Sequence, residues 1–273
     1  MSTEIIAEIG WNFMGDMDLA AHMIAKAKDA GANTAKFQYW NPSRLLAGVW
    51  DVDGRRQIYE KAQLDPDRIG SLVNICRQND IKFLISVFNV VDAKLMVQLG
   101  INEIKIPSHE VANFELHRFS AASFDRIYVS LGAGEISEIE SAVEIYNTDK
   151  ADTSWVGMHC VSSYPVPAEK ANLQRLKFLS SMVPTLGYSD HTRDALAPSL
   201  AVALGAKVIE KHFTTDKNLP GRDNKNALDT QEFEEMVANV RLAERLLLDH
   251  GPGPMDLEAD TIANYRGRWG GNE

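Results

Sequence analysis

Cysteine is nearly missing from this chain of 273 residues. Cys76 and Cys160 are the whole complement, and their separation fits no metal or redox spacing. That excludes a disulfide-built scaffold and a thiolate cluster, and a reducing, cytoplasmic setting is the expectation. Positive charge is scarce as well. Lys and Arg total 28 against 38 Asp and Glu, a net charge of -10. Such a balance lacks the basic footprint that nucleic-acid binding requires. No apolar run reaches the roughly 18 residues of a membrane-spanning helix. No cationic start leads into an apolar stretch, so no secretory leader is expected. Low-complexity segments are missing too. So is a Gly-x-Gly-x-x-Gly after the first apolar run, where a dinucleotide-binding sheet carries it. Gly132-Ala133-Gly134 is too short a match to count.

What is present is an alternation. With 45% hydrophobic and 24% charged residues there is ample material for one large core. Short apolar runs (Ile5 to Ile9, Thr34 to Gln38, Lys82 to Val87, Glu103 to Ile106, Arg126 to Ser130, Trp155 to His159, Val183 to Gly187 and Ala206 to Ile209) read as strands. Between them lie segments at helical spacing, such as Asp18 to Ala30 closed by Gly31, and Val91 to Leu99 closed by Gly100. The last, Thr230 to Asp249, has Phe233, Met236, Val237, Val240 and Leu242 on its apolar side. Eight strands alternating with eight helices predict a (β/α)8 TIM barrel over residues 1–250, with a polar tail from 251 to 273 and no second domain. The stretch from Tyr39 to about Gln63, rich in Trp, Pro, Gly and Arg, is long enough to suggest a lid.

In a parallel barrel the carboxyl ends of the strands share one pocket. The residues predicted there are Glu8, Lys36 with Gln38, Ser86, Lys105 with Ser108, Ser130, His159 with Ser162, Ser189 with His191, and Glu210 with His212. A lysine inside an apolar strand needs a partner, so Lys36 and Lys105 read either as structural ion pairs or as an anion site. Hydroxyls around both favour a phosphate or carboxylate ligand. Two histidines at neighbouring strand ends suit a shared divalent metal, against the plainer reading of polar loop residues. Glu8 is a candidate general base, or one half of a salt bridge to a lysine. Cys160 is adjacent to His159, and adjacent strand residues face opposite ways, so it reads as a buried thiol rather than a nucleophile. Pro220 to Asn224 follows the last strand. Arg222 and Asp223 there suit a sugar's hydroxyls or a second anion, against the plainer reading of an ordinary turn.

Several segments stand in the order seen in one known family. They are Ala7-Glu8-Ile9-Gly10, Ala35-Lys36-Phe37-Gln38, Lys105-Ile106-x-Ser108-x-Glu110, His159-Cys160-x-x-x-Tyr164-Pro165, Gly187-Tyr188-Ser189-Asp190-His191-Thr192, Glu210-Lys211-His212-Phe213-Thr214 and Pro220-Gly221-x-Asp223. Over about residues 4 to 250 the chain resembles the sialic acid synthases. The resemblance implies a (β/α)8 catalytic barrel that condenses phosphoenolpyruvate with N-acetylmannosamine or a related N-acyl hexosamine. The product is a nine-carbon 2-keto sugar acid, and phosphate is released. It implies a divalent metal on His191 and His212, usually Mn2+ with Mg2+ or Co2+ as substitutes, and Glu8 as base. It places Lys36, Lys105, Ser108, Ser130 and Ser189 on phosphoenolpyruvate, with Ser86 and Ser162 beside them, and Gln38, Tyr164 and Asp223 toward the sugar. A homodimer is the family expectation. This sequence departs from the family at Phe13, Val87, Ser162 and His109. It also ends near Gly251-Pro252-Gly253-Pro254, where members continue into an antifreeze-like domain. A synthase using a different aldehyde, and a barrel that binds phosphoenolpyruvate-like anions without turnover, are the alternatives.

Overall fold

The protein is described here by a computed structural model covering residues 2–148 and 154–270. Eight strands close a parallel barrel in sequential order. They are β1 (Glu4–Gly10), β2 (Thr34–Gln38), β3 (Lys82–Ser86), β4 (Glu103–Ile106), β5 (Arg126–Ser130), β6 (Ser154–Cys160), β7 (Leu186–Asp190) and β8 (Val208–His212). Around them run α1 (Met17–Asp29), α2 (Arg55–Ala62), α3 (Pro66–Gln78), α4 (Val90–Gln98), α5 (Phe114–Ala121), α6 (Ile136–Thr148), α7 (Arg175–Leu179), α8 (Ala197–Ala203), α9 (Thr230–Leu246) and α10 (Ala259–Asn264). The barrel is as the alternation predicts. Two helices are additional. α2 lies inside the 39–63 stretch, where Tyr59 and Ala62 give an eight-residue helix a buried side. α10 lies in the exposed tail. In α8 the Asp194 carboxylate accepts from the N–H groups of Leu196 and Ala197, so the chain before Ala197 is a turn. Among the described residues no helix is long and apolar enough to cross a membrane.

Local chemistry explains where helices begin. Asp16, Asp65, Asn89, Asn113 and Asp229 each accept from a backbone N–H of the following first turn. Such caps contribute about 1 kcal/mol apiece. Gly15 sits at φ 78°, and a Cβ there would lie 2.1 Å from the Lys61 carbonyl oxygen. Only glycine lets the β1–α1 turn pass that close to α2.

Parity along the strands builds the interior. Ile6, Leu84, Tyr128, Val156, Met158 and Val208 form a fully buried cluster within the barrel. One pleat repeat further along the same strands, the inward positions turn polar: Glu8, Ser86, Ser130, Cys160 and Glu210. The outward positions pack against the helices in a separate, larger core.

His117 on α5 shows how that outer core treats a titratable group. It is fully buried, with Nδ1 2.8 Å from the Tyr146 hydroxyl and Nε2 3.0 Å from the Val111 carbonyl. Burial drives its pKa down to about 4, against the opposing effect of the backbone hydrogen bonds. An unfolded histidine takes its proton near pH ~6.5. The neutral ring's contribution is therefore complete above that pH and is lost as pH falls toward 4, by up to ~3 kcal/mol. Urea unfolding of the wild type should show this loss between pH 7 and 4.5, and His117→Gln should flatten it. Equal pH slopes for the two proteins would refute the assignment.

Candidate active site

Register across the closed sheet sets the site. Glu8 pairs with Lys36 on one side and with His212 on the other, because the first and last strands are neighbours. Ser189 lies beside Glu210, Gln38 beside Ser86, and Ser86 beside Lys105. These residues line a pocket of about 180 Å³ at the carboxyl end of the barrel. Every site residue predicted from the sequence lines it except His159 and Ser162. Ser162 is exposed and reaches the site indirectly, hydrogen-bonded to the Ser108 hydroxyl.

The floor is a buried array of alternating charge. Lys36 donates to Glu8 at 2.7 Å and lies 3.7 Å from Glu210, while Lys105 donates to Glu210 at 2.6 Å. Ser189 donates to the second Glu210 oxygen at 3.0 Å, and Gln38 to the second Glu8 oxygen. Glu8, Lys36, Lys105 and Glu210 keep only 1, 3, 1 and 6% of their surfaces exposed. Both readings of the lysines thus hold together: each is ion-paired, and each also faces the pocket.

The two carboxyls are driven apart. Burial raises the Glu8 pKa, and this outweighs the opposing effect of Lys36. Burial acts the same way on Glu210, but Lys105 and then Lys36 outweigh it and pull its pKa to about 2. Glu210 is therefore a fixed anion between two cations, while Glu8 is the group poised to exchange a proton. Burial lowers the Lys105 pKa against the pull of Glu210.

The histidines stand above this floor. Their ring centroids are 5.5 Å apart, and Tyr164 stacks on His212 at 4.3 Å. His191 Nδ1 lies 2.9 Å from the Val161 carbonyl and 3.1 Å from that of Ser163. Its Nδ1–H donates there, and although burial opposes it, the neighbouring Cys160 raises the ring's pKa to about 9, so Nε2 can ligate a cation only by giving up its proton. His212 Nδ1 is buried without a hydrogen-bond partner, 3.9 Å from an Asp223 oxygen. Burial and then His191 hold the His212 pKa far below the usual range, so its ring is neutral. An oriented imidazole and an orphaned neutral one fit a divalent cation. Among the described residues no group of three or more His, Cys, Asp or Glu is placed to ligate an ion. Substrate and water oxygens would complete the coordination.

Two placements differ from the sequence reading. His159 points out of the barrel, bonded to the Ala171 carbonyl at 2.8 Å and stacked on Tyr188, so it does not belong to the ring. Cys160 takes the inward position and lines the pocket, 3.9 Å from His191 Nδ1. Phe13 is buried against Phe37 away from the pocket. Glu210 was placed on the ring by sequence but given no role, and it joins both lysines. Parity exposes it: His212 and Val208 face inward, so Glu210 must, while Lys211 turns outward to Asp190 and the Thr192 carbonyl.

The lid touches this machinery. Trp40 Nε1 donates to Gln38 at 2.9 Å, and Gln38 donates to Glu8. Trp11 packs edge-on against Trp40 and Tyr59, whose rings stack 4.9 Å apart. Arg44 pairs with Asp92 of α4.

Comparison with known proteins gives this geometry a lineage. The NeuB family profile matches residues 23–251. The chain belongs to the NeuB family. It is 34% identical to the N,N'-diacetyllegionaminic acid synthase of Campylobacter jejuni over 261 residues, covering 90% of this chain and 78% of that protein. Pseudaminic acid synthase of the same organism is 32% identical over 272 residues, covering 95% and 78%. A crystal structure of N-acetylneuraminic acid synthetase from Leptospira borgpetersenii with citrate superposes at a TM-score of 0.88, with 32% identity, covering 96% of this chain and 91% of that one. NeuB-family relatives are thus synthases of sialic-acid type, and an enzyme of the synthase class is the coarse assignment.

Proposed function

We propose that this protein condenses phosphoenolpyruvate with an N-acylated aldose to give a nine-carbon 2-keto sugar acid and phosphate. The observation that carries this reading is the charge array Glu8–Lys36–Glu210–Lys105 beneath two histidines with ligating nitrogens, in one pocket. Lys36 and Lys105 each spend part of their donor capacity on glutamates, and their remaining N–H groups serve the phosphate and carboxylate. Ser86, Ser108, Ser130 and Ser189 supply hydroxyls around them. Gln38, Tyr164 and Asp223, on the same wall, face the aldose. A divalent metal held by His191 and His212 would supply Lewis-acid polarisation of the aldehyde.

The bonds balance with water as third reactant. The double-bond electrons of phosphoenolpyruvate join carbon 3 to the aldehyde carbon, whose oxygen takes a proton and becomes a hydroxyl; water adds at carbon 2, and the carbon–oxygen bond to phosphate breaks as the new carbon 2 hydroxyl gives up its proton to become the keto group. Glu8 takes the proton of that water, and burial raises its pKa and so makes it a stronger base than an ordinary carboxylate. Gln38 and Lys36 fix the two carboxylate oxygens, so the base is held in one orientation.

Phosphate release with phosphoenolpyruvate, Mn2+ and a panel of N-acyl hexosamines tests the reading. Turnover with at least one aldose is expected, and Glu8→Gln should lower kcat by about 100-fold or more. No release with any aldose from folded, metal-supplied protein would overturn it. Tight phosphoenolpyruvate binding without turnover, unaltered by Glu8→Gln, would favour a non-catalytic barrel.

A further inference from the structure

Behind the histidines, on the outer face of the sheet, lies a second buried polar network that the condensation does not use. Its centre is Lys211, between Glu210 and His212 in β8. Those two neighbours line the pocket, so Lys211 turns away from it. The residue is 2% exposed. A buried ammonium needs acceptors for its three protons. All of its acceptors lie in one short segment, 190–194. Nζ donates to Asp190 Oδ2 at 2.5 Å, to the Thr192 carbonyl at 2.6 Å and to the Asp194 carbonyl at 3.0 Å, with the Thr192 hydroxyl at 3.2 Å. That segment carries His191.

The network is closed on its other side as well. Asp190 and Thr192 are each 1% exposed. Asp190 Oδ1 accepts from the Tyr188 hydroxyl and the Thr192 N–H, both at 2.8 Å, and Oδ2 accepts from the Thr192 hydroxyl at 3.0 Å. Asp190 and Thr192 flank His191 in the chain, and Lys211 holds both. The pairing of β7 with β8 runs from Gly187 and Val208 to Asp190 and Lys211 and stops there. Each histidine follows the last paired residue of its strand, so the ladder does not fix the distance between them. The His191 ring itself bonds to the Val161 and Ser163 carbonyls, which lie after β6 and not on β8.

We propose that Lys211 is a positioning residue, clamping segment 190–194 onto β8 and so holding the His191 and His212 rings at a separation that one divalent cation can bridge. The inference rests on the metal role given to those histidines and deepens it. Lys211 touches neither substrate nor metal. A purely structural ion pair would stabilise the barrel without favouring the metal over any other ligand.

Lys211→Met alone leaves the Asp190 carboxylate buried and unpaired, so the test uses Lys211→Met with Asp190→Asn. That variant removes both charges of a neutral pair and nearly keeps both shapes, while the Thr192 and Asp194 carbonyls lose their donor. The summed charge near the histidines is unchanged, so altered cation affinity reports geometry. Equilibrium dialysis should show Mn2+ bound about ten-fold or more weakly than by the wild type. Calorimetry with phosphoenolpyruvate alone should return the wild-type Kd, because Lys36 and Lys105 are held by Glu8 and Glu210. His117→Gln disturbs the outer core instead and should bind Mn2+ as the wild type does. Wild-type Mn2+ affinity in the double variant, or equal losses for Mn2+ and phosphoenolpyruvate, would overturn the clamp. Crystals of the metal-free double variant give a readout that needs no ion. The two ring centroids should lie further apart than the present 5.5 Å, and an unchanged separation would refute the proposal. If His191→Ala binds Mn2+ undiminished, the metal role itself fails, and the ring separation still decides whether Lys211 sets that geometry.

Discussion

Glu210→Ala is expected to lower stability by about 3–5 kcal/mol, because it strands a buried Lys105 without its counter-ion. Lys105 retains only a 3.5 Å contact to the Met158 sulfur, and Ser189 loses its acceptor. Turnover should fall below detection, since the lysine that remains is displaced or discharged. Stability and activity separate in a double variant. Lys105→Met with Glu210→Leu removes both charges, and replacing a buried ion pair with packed apolar groups is often neutral. Chemical denaturation should show most of the lost stability restored, with activity still absent. If Glu210→Ala unfolds no more readily than the wild type, the array is not the closed, dry network described. If the double variant turns over substrate, Lys105 does not hold the donor.

The second large effect concerns the histidines. His191→Ala and His212→Ala should each weaken divalent-metal binding by about 100-fold or more. Removing a direct ligand costs at least what removing its supporting partner does. Phosphate release should drop in parallel. The fold should change little, because both rings sit at the pocket wall rather than in either apolar core. Equilibrium dialysis with Mn2+ measures the affinity, and circular dichroism checks the fold. Full activity in either variant would disprove the metal assignment. Asp223→Asn offers a control. It lies 3.9 Å from His212 Nδ1, beyond hydrogen-bonding distance, so its loss should affect the acceptor's KM before metal affinity.

Much of this site was readable from parity. Lys36 and Gln38 share a face because they are two residues apart in a strand, and in the fold both reach Glu8. The same rule separates Cys160 from His159. The choice of which one faces inward depends on Val156 and Met158, which look alike from either side until the barrel closes. In Glu210-Lys211-His212 the same alternation puts Glu210 and His212 on the pocket side and Lys211 outside, as the sequence reading had them, but it does not announce that Glu210 joins two lysines. The lid was harder. Trp11 follows β1 while Trp40 and Tyr59 lie at opposite ends of the 39–63 stretch, and no spacing in the chain brings them together. Nor does composition mark α2, half of whose eight residues are charged and which gains its helix by packing two side chains. Residues 149–153 and 271–273 lie outside the description, so the end of the tail adds nothing to this comparison.

The pairing of β1 with β8 sets when the site comes into being. Glu8 is among the first residues made and His212 among the last of the barrel, yet they are side by side. A growing chain contains Lys36 and Lys105 long before it contains Glu210, so for most of synthesis the two cations lack half their counter-charge. Long-range closure of this kind is slow and comes late. A ligand that spans this pocket therefore meets its whole lining only in a finished barrel, and its binding would act as a latch on the seam where the two ends of the sheet meet.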